Sequence, residues 1–167
     1  MNGREAHNVW VTHPFEPVYD NNSRILILGS FPSVKSREVQ FYYGNHQNRF
    51  WHVIAQIFQC ALPETVLQKR RVLLDHGVAL WDILKSCVIE GSSDASIQNP
   101  QPNSIAWLLE KTDIQKICFN GKKAYQIYQQ YCPQLAVSIQ VLPSTSPANA
   151  AYSLQRLCEI WGQALLF

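Results

Sequence analysis

Several things are scarce or missing in this chain of 167 residues, and each absence narrows what it can be. No stretch approaches the roughly 20 consecutive apolar residues that a bilayer-crossing helix needs. The opening residues, Met-Asn-Gly-Arg-Glu-Ala-His, hold no apolar run of the kind that directs secretion. The expectation is a cytoplasmic protein with no membrane partner. The five cysteines (Cys60, Cys87, Cys118, Cys132 and Cys158) are scattered, odd in number and without a C-x-x-C pair. Zinc and iron–sulfur sites want close pairs, and disulfide scaffolds want shorter, cysteine-denser chains, so these read as small apolar residues in a reducing compartment. The glycine patterns of dinucleotide folds and P-loops are absent, as are the G-x-S-x-G elbow of serine hydrolases and any aspartate-rich metal loop. No metal or cofactor is expected. Neither sign of charge dominates: 14 Lys and Arg against 12 Asp and Glu leave +2, compatible with a nucleic-acid partner but too weak to argue for one.

What remains is an ordinary globular composition, 47% apolar and 16% charged, long enough for one domain with a real core. Four short branched apolar runs read as buried strands, at 24–29, 78–83, 114–119 and 136–142. Between and after them lie helical patterns at 48–60, 64–76, 103–111, 121–131 and 149–166. This alternation predicts an α/β fold, a three-layer α/β/α sandwich around a central four-stranded parallel sheet. Residues 1–23 read as an N-terminal extension lying on that domain. Residues 90–102, rich in Gly, Ser, Asn and Pro, read as the longest loop, a lid or a substrate-contacting segment.

Two loops follow the first and last strands in the same manner, passing from apolar residues into hydroxyls and prolines before a helix. In open α/β sheets ligands bind beyond the carboxyl ends of the strands, so the pair predicts two walls of one cleft. Gly29-Ser-Phe-Pro-Ser33 reads either as a plain turn with Ser33 as a helix cap, or as amides and hydroxyls able to hold a phosphate oxygen. Leu142-Pro-Ser-Thr-Ser-Pro-Ala-Asn149 offers three consecutive hydroxyls, either an elaborate cap or a grip on phosphate. Serine hydrolysis is disfavoured, because no histidine stands in a recognisable relation to these serines. Between the loops, Phe41-Tyr-Tyr-Gly-Asn-His-Gln-Asn-Arg-Phe-Trp51 joins three aromatics to a run of amides. It reads as a hydrophobic flap or as a stacking platform with hydrogen-bonding groups for a flat heteroaromatic ligand.

Taken in order, Gly29-Ser-Phe-Pro-Ser33, Tyr42-Tyr-Gly-Asn45 with Asn48-Arg-Phe-Trp51, Phe119-Asn-Gly-Lys122 and the 142–149 loop resemble the uracil-DNA glycosylase superfamily. Within it they are most similar to the hypoxanthine-DNA (deoxyinosine) glycosylase branch. The resemblance runs from about residue 24 to 161 and implies a four-stranded parallel sheet between helical layers. It further implies a monofunctional enzyme of base excision repair, acting as a monomer on double-stranded DNA that contains a deaminated base.

Residue by residue, Phe31 stands where mismatch-specific uracil glycosylases carry a water-positioning Asn, and the catalytic amide of the hypoxanthine branch maps to Asn45. Tyr43 corresponds to the base-stacking aromatic. The implied base pocket is Gly29, Ser30, Phe31, Tyr43, Asn48 and Asp82. The implied DNA contacts are Ser33, Ser144, Thr145, Ser146 and Asn149. His46 departs from the proline usual at its place. Asp82 and Asp94 are rival acid–base groups, and Gly91-Ser-Ser-Asp-Ala-Ser96 is similar to a Gly-Ser-x-Asp segment of thymine-DNA glycosylases. The basic runs Lys69-Arg70-Arg71 and Lys122-Lys123 read as solvated helix faces. The alternatives are a uracil- or xanthine-directed glycosylase and a non-catalytic damaged-DNA-binding module. A nucleoside hydrolase or flavodoxin-like phosphate binder is disfavoured by the missing metal loop and phosphate cradle.

Overall fold

The computed structural model describes residues 9–166, so the sequence reading of the first seven residues lies outside it. Four strands, β2 (Ile25–Gly29), β3 (Val78–Asp82), β6 (Lys116–Asn120) and β7 (Ser138–Leu142), form a parallel sheet in the order β3-β2-β6-β7. These are the four strands expected, each within two residues of its predicted start. Every residue of β2 and β3 is buried, as a parallel strand covered on both faces must be, and this is why their sequences run apolar without alternation.

Helices α1 (Val34–Val39), α2 (Phe50–Ile57), α3 (Val66–Leu74), α4 (Ile105–Lys111), α5 (Lys122–Tyr131) and α6 (Leu154–Leu165) connect and cover the strands. Their starts follow from capping chemistry. The hydroxyls of Ser33, Ser104 and Ser153 accept from backbone N–H groups in the first turns of α1, α4 and α6. Thr65 and Gln68 form a reciprocal capping box that starts α3. Helix α6 begins five residues later than its apolar pattern suggests, since residues 149–153 are spent in a turn that ends at the Ser153 cap. It packs along α2, with Trp161 fully buried and edge-on to Phe50 at 5.9 Å.

A second sheet lies outside the sequence expectations. Strands β1 (Val9–Thr12), β4 (Leu84–Ile89) and β5 (Gln98–Pro102) form an antiparallel sheet in the order β1-β4-β5. Residues 9–23, expected to lie on the fold as an extension, instead supply an edge strand. They also supply Val18, fully buried and bridged to Leu80. The expected loop at 90–102 holds a 3-10 turn (Asp94–Ser96) and then β5. Gln-Asn-Pro-Gln-Pro has no alternating pattern to betray a strand, and its prolines are tolerated because β5 is an edge.

Ile83 is the single residue between the end of β3 and the start of β4, where the chain passes from one sheet to the other. Its N–H donates to the Gly29 carbonyl at 2.9 Å, and the Leu84 N–H donates to the Ser30 carbonyl at 3.1 Å. That junction fixes Asp82 directly beside Gly29, its register partner across the sheet.

Candidate active site

Beyond the carboxyl ends of β2, β3 and β6 lies a cavity of about 270 Å³, which the parallel topology predicts for a ligand. Its walls are the 29–33 turn, Tyr42, Tyr43, Asn45 and Asn48, the carboxylates of Asp82 and Asp94, Asn120, and residues 144–148. The two matching loops of the sequence are therefore two walls of one site.

Gly29 shows how tightly the floor is built. A Cβ placed there would stand 2.5 Å from Asp82 Oδ1 and 3.0 Å from the Tyr43 hydroxyl oxygen, so only glycine lets these groups converge. Tyr43 is held at both ends. Its ring stacks on Phe50 with centroids 4.1 Å apart, and its hydroxyl oxygen accepts from Asn120 Nδ2 at 3.0 Å. Its backbone sits at φ 52°, a left-handed conformation that an aromatic residue adopts only where its surroundings enforce it. Burial, and after it the charge of Asp82, push the phenol far above its ordinary pKa, so Tyr43 remains protonated. Beneath it, buried Ser36 accepts from the Gly44 N–H at 2.9 Å and ties the segment to α1.

Asn45 heads a small turn in which its side-chain oxygen accepts from the Gln47 N–H at 3.0 Å and its carbonyl from the Asn48 N–H at 2.9 Å. Among the described residues, one lone pair of that oxygen and both hydrogens of its amide nitrogen have no partner and can serve a ligand. Asn48 uses its own side-chain oxygen on the Phe50 N–H at 2.9 Å, which starts α2.

On the opposite wall, Ser30 Oγ donates to Asp94 Oδ2 at 3.0 Å. The Asp94 carboxyl is raised above its ordinary pKa, chiefly by burial; the Ser30 hydrogen bond and Lys123 pull it back, and Asp82 adds to the rise. The Ser92 hydroxyl accepts from the Val34 N–H at 2.9 Å, and Arg37 Nη2 donates to the Gly91 carbonyl at 2.6 Å. The loop beyond β4 is thereby fastened to α1.

Residues 16–164 match the sequence profile of the uracil DNA glycosylase superfamily. The chain belongs to that superfamily. It is 37% identical to a protein of Methanosarcina acetivorans named hypoxanthine DNA glycosylase, over 87% of this chain and 92% of the relative. A protein of Methanosarcina barkeri with the same name is 32% identical, over 90% and 95% of the two chains. The fold matches the solution NMR structure of a candidate uracil DNA glycosylase from Methanosarcina acetivorans. The TM-score is 0.78 at 35% identity, covering 90% of this chain and 94% of that one.

Within this superfamily fold, every residue assigned to the base pocket from the sequence lines the cavity, as do Asn45, Ser33, Ser144, Thr145 and Ser146. Phe31 is 8% exposed and presents no hydrogen-bonding side chain, consistent with its place in the resemblance. Thr145 departs from its expected task. It is fully buried, its hydroxyl accepts from Asn120 Nδ2 and its N–H donates to Asn120 Oδ1, both at 3.0 Å. Its side chain therefore holds the loop and presents no hydroxyl to an outside partner. Asn149 is likewise turned to the loop, donating to the Ser144 carbonyl at 3.0 Å.

Three contributors went unassigned in the sequence reading. Asn120 bridges Tyr43 and Thr145, and so links the stacking aromatic to the last loop. Its Phe-Asn-Gly-Lys motif was legible, but the side chain's direction was not. Arg49 lies behind the 144–152 loop, donating to the carbonyls of Ser146 and Asn149 at 3.1 and 3.0 Å and to that of Tyr152. His13 donates to Asp82 across 69 positions of sequence. No local pattern could have announced that pairing.

Proposed function

We propose that this protein is a monofunctional DNA glycosylase that hydrolyses the N-glycosidic bond of a deaminated base in double-stranded DNA, hypoxanthine foremost. The observation that carries the reading is the placement of Tyr43 and Asn45 on one wall of a cavity of nucleobase character. It is supported by the hypoxanthine DNA glycosylases to which the chain is similar. None of the described lining residues is a lysine that could attack the sugar as an amine nucleophile.

The target base must first leave the helix, at a cost of a few kcal/mol that is least for a weakened pair. Loop residues 142–149, braced from behind by Arg49, take the space the base vacates, with Ser33, Ser144, Ser146 and nearby backbone groups toward the flanking phosphates. The base stacks on the face of Tyr43 that Phe50 does not cover. Asn45 accepts one hydrogen of a water with its free lone pair and aims the oxygen at the anomeric carbon. The C–N bond breaks, its electron pair leaves with the purine, the water oxygen bonds to carbon and loses a proton to solvent, and the purine anion takes a proton up from solvent. An amide is too weak a base to drive this step, so bond breaking runs ahead of attack. The negative charge of the DNA phosphates then offsets the cationic sugar.

Positioned proton-transfer groups are worth typically about 10²–10⁴ in rate, and an orienting amide belongs at the low end. Asn45→Ala should therefore slow base release about 100-fold with little change in duplex affinity. The measurement is single-turnover release from duplexes carrying hypoxanthine, uracil or xanthine, read by alkaline cleavage at the abasic site. Near-normal turnover by the variant would remove Asn45 from the chemistry. Retained binding without cleavage by the unaltered protein would favour a damage-binding module, and cleavage confined to uracil or xanthine would reassign the base.

A further inference from the structure

His13 stands just beyond β1, at the border of the antiparallel sheet, and its ring is almost wholly enclosed, with 4% of the side chain exposed. Phe15, Phe31 and Tyr42 surround it, with ring centroids at 4.5, 6.2 and 5.8 Å. The Phe15 N–H points at Nδ1 across a long 3.5 Å. That arrangement leaves the ring proton on Nε2, which donates to Asp82 Oδ2 at 2.8 Å. Asp82 is 5% exposed at its side chain, and Asn103 Nδ2 holds its backbone carbonyl at 2.9 Å. Its second oxygen, Oδ1, has no donor among the described residues and lies at the cavity floor beside Gly29.

We propose that the His13–Asp82 pair is the element that distinguishes a deaminated base from its parent, by offering one fixed acceptor oxygen to the ring N–H that deamination creates. This rests on the glycosylase reading above and deepens it. Adenine carries a lone pair at N1, and hypoxanthine carries N1–H beside its new carbonyl. A carboxylate oxygen clamped against that position accepts from hypoxanthine and repels adenine. Uracil and cytosine differ at N3 in the same way. The histidine also limits the site to a single acceptor. Guanine pairs with a free carboxylate through both N1–H and its 2-amino group; with Oδ2 occupied by His13, that amine would be buried unpaired. His13 touches no base in this scheme and acts as a positioning residue through Asp82.

The test uses binding, so that it stands apart from bond cleavage. Duplexes carrying 2′-fluoro-2′-deoxyinosine or 2′-fluoro-2′-deoxyadenosine at one position resist hydrolysis, and the ratio of their dissociation constants is measured for each variant. The duplexes' own opening costs cancel between variants. Asp82→Asn keeps the bond from His13 on its carbonyl oxygen and turns an N–H toward the base. The hypoxanthine preference should fall about 10- to 100-fold, the size of one charged hydrogen bond, by a gain on adenine as well as a loss on hypoxanthine. Unfolding cannot mimic that gain. His13→Phe should reduce the same ratio, His13→Gln should restore it through its Nε2–H, and His13→Phe combined with Asp82→Asn should be no worse than Asp82→Asn alone. An unchanged ratio in Asp82→Asn would overturn the proposal, as would independent, multiplying effects of the two substitutions. Hypoxanthine release by the unaltered protein checks the glycosylase reading separately.

Discussion

Single atoms decide the floor of this site. Gly29 and Asp82 are paired across two parallel strands, and the absent side chain of the first gives room to the carboxylate of the second. The required clearance is larger than flexing can supply, because the Asp82 carboxylate is held by His13 and its backbone by Asn103. Gly29→Ala should therefore displace Oδ1 and the Tyr43 hydroxyl together. The expected result is a folded protein whose thermal midpoint falls only slightly and whose single-turnover base release falls at least about tenfold, a rise of some 1.4 kcal/mol in the barrier. Paired melting and kinetic measurements check it; normal release would show that the two groups can part without consequence. The lesson of Tyr43 is similar. A left-handed tyrosine is a strained choice, and the stack on Phe50 and the bond from Asn120 are what enforce it.

At the scale of elements, the 144–152 loop is anchored from behind by one cation. The planar guanidinium of Arg49 reaches three carbonyls, and the Arg49 N–H adds a fourth bond to the Thr145 carbonyl at 3.1 Å. A lysine keeps the charge but cannot match the fork. Arg49→Lys should cost about 1–3 kcal/mol in local stability, seen as faster proteolytic nicking between 144 and 152 and weaker duplex binding, with helix content unchanged. An unaltered nicking rate would mean the loop holds itself. The same element explains what could be read in advance. The apolar runs of β2, β3 and β6 declare themselves because these parallel strands are covered on both faces, whereas β7 is a half-exposed edge. The hydroxyl-rich 142–149 loop declared a functional wall, yet its inward and outward side chains are sorted by Asn120 and Arg49, which come from elsewhere in the chain. Strand β5 was hidden because its edge sequence, Gln-Asn-Pro-Gln-Pro, resembles a loop, whereas β1, Val-Trp-Val-Thr, has strand-forming residues but is only four residues long.

For the molecule as a whole, the site is a local cost to stability. Asp94 is pushed up by burial, so in the folded state it holds its proton at pH values where the unfolded chain has lost it. Stability contributed by this group is present below the ordinary carboxylate pKa, 3.8, and is lost as pH rises through the raised folded value. Asp94→Asn removes that dependence. The variant should gain thermal stability relative to the unaltered protein at pH 7, with the gain shrinking toward pH 4, while base release declines. Melting curves across that range test it, and a gain that grew on acidification would reverse the sign and refute the account. Such a pattern, stabilisation bought with activity, is what a carboxylate retained for function would leave behind.

The junction between the two sheets has one more consequence. The superfamily match begins at residue 16, just after His13, yet His13, which follows β1 of the antiparallel sheet, holds Asp82 at the cavity floor. A boundary drawn at that match would leave the parallel sheet, Tyr43 and Asn45 in place and discard the group that aims Asp82. Such a trimmed chain would keep the means to cut a base out of DNA and lose part of the means to choose which one. In a repair enzyme that is the hazardous half to lose: indiscriminate excision turns sound adenines into abasic sites.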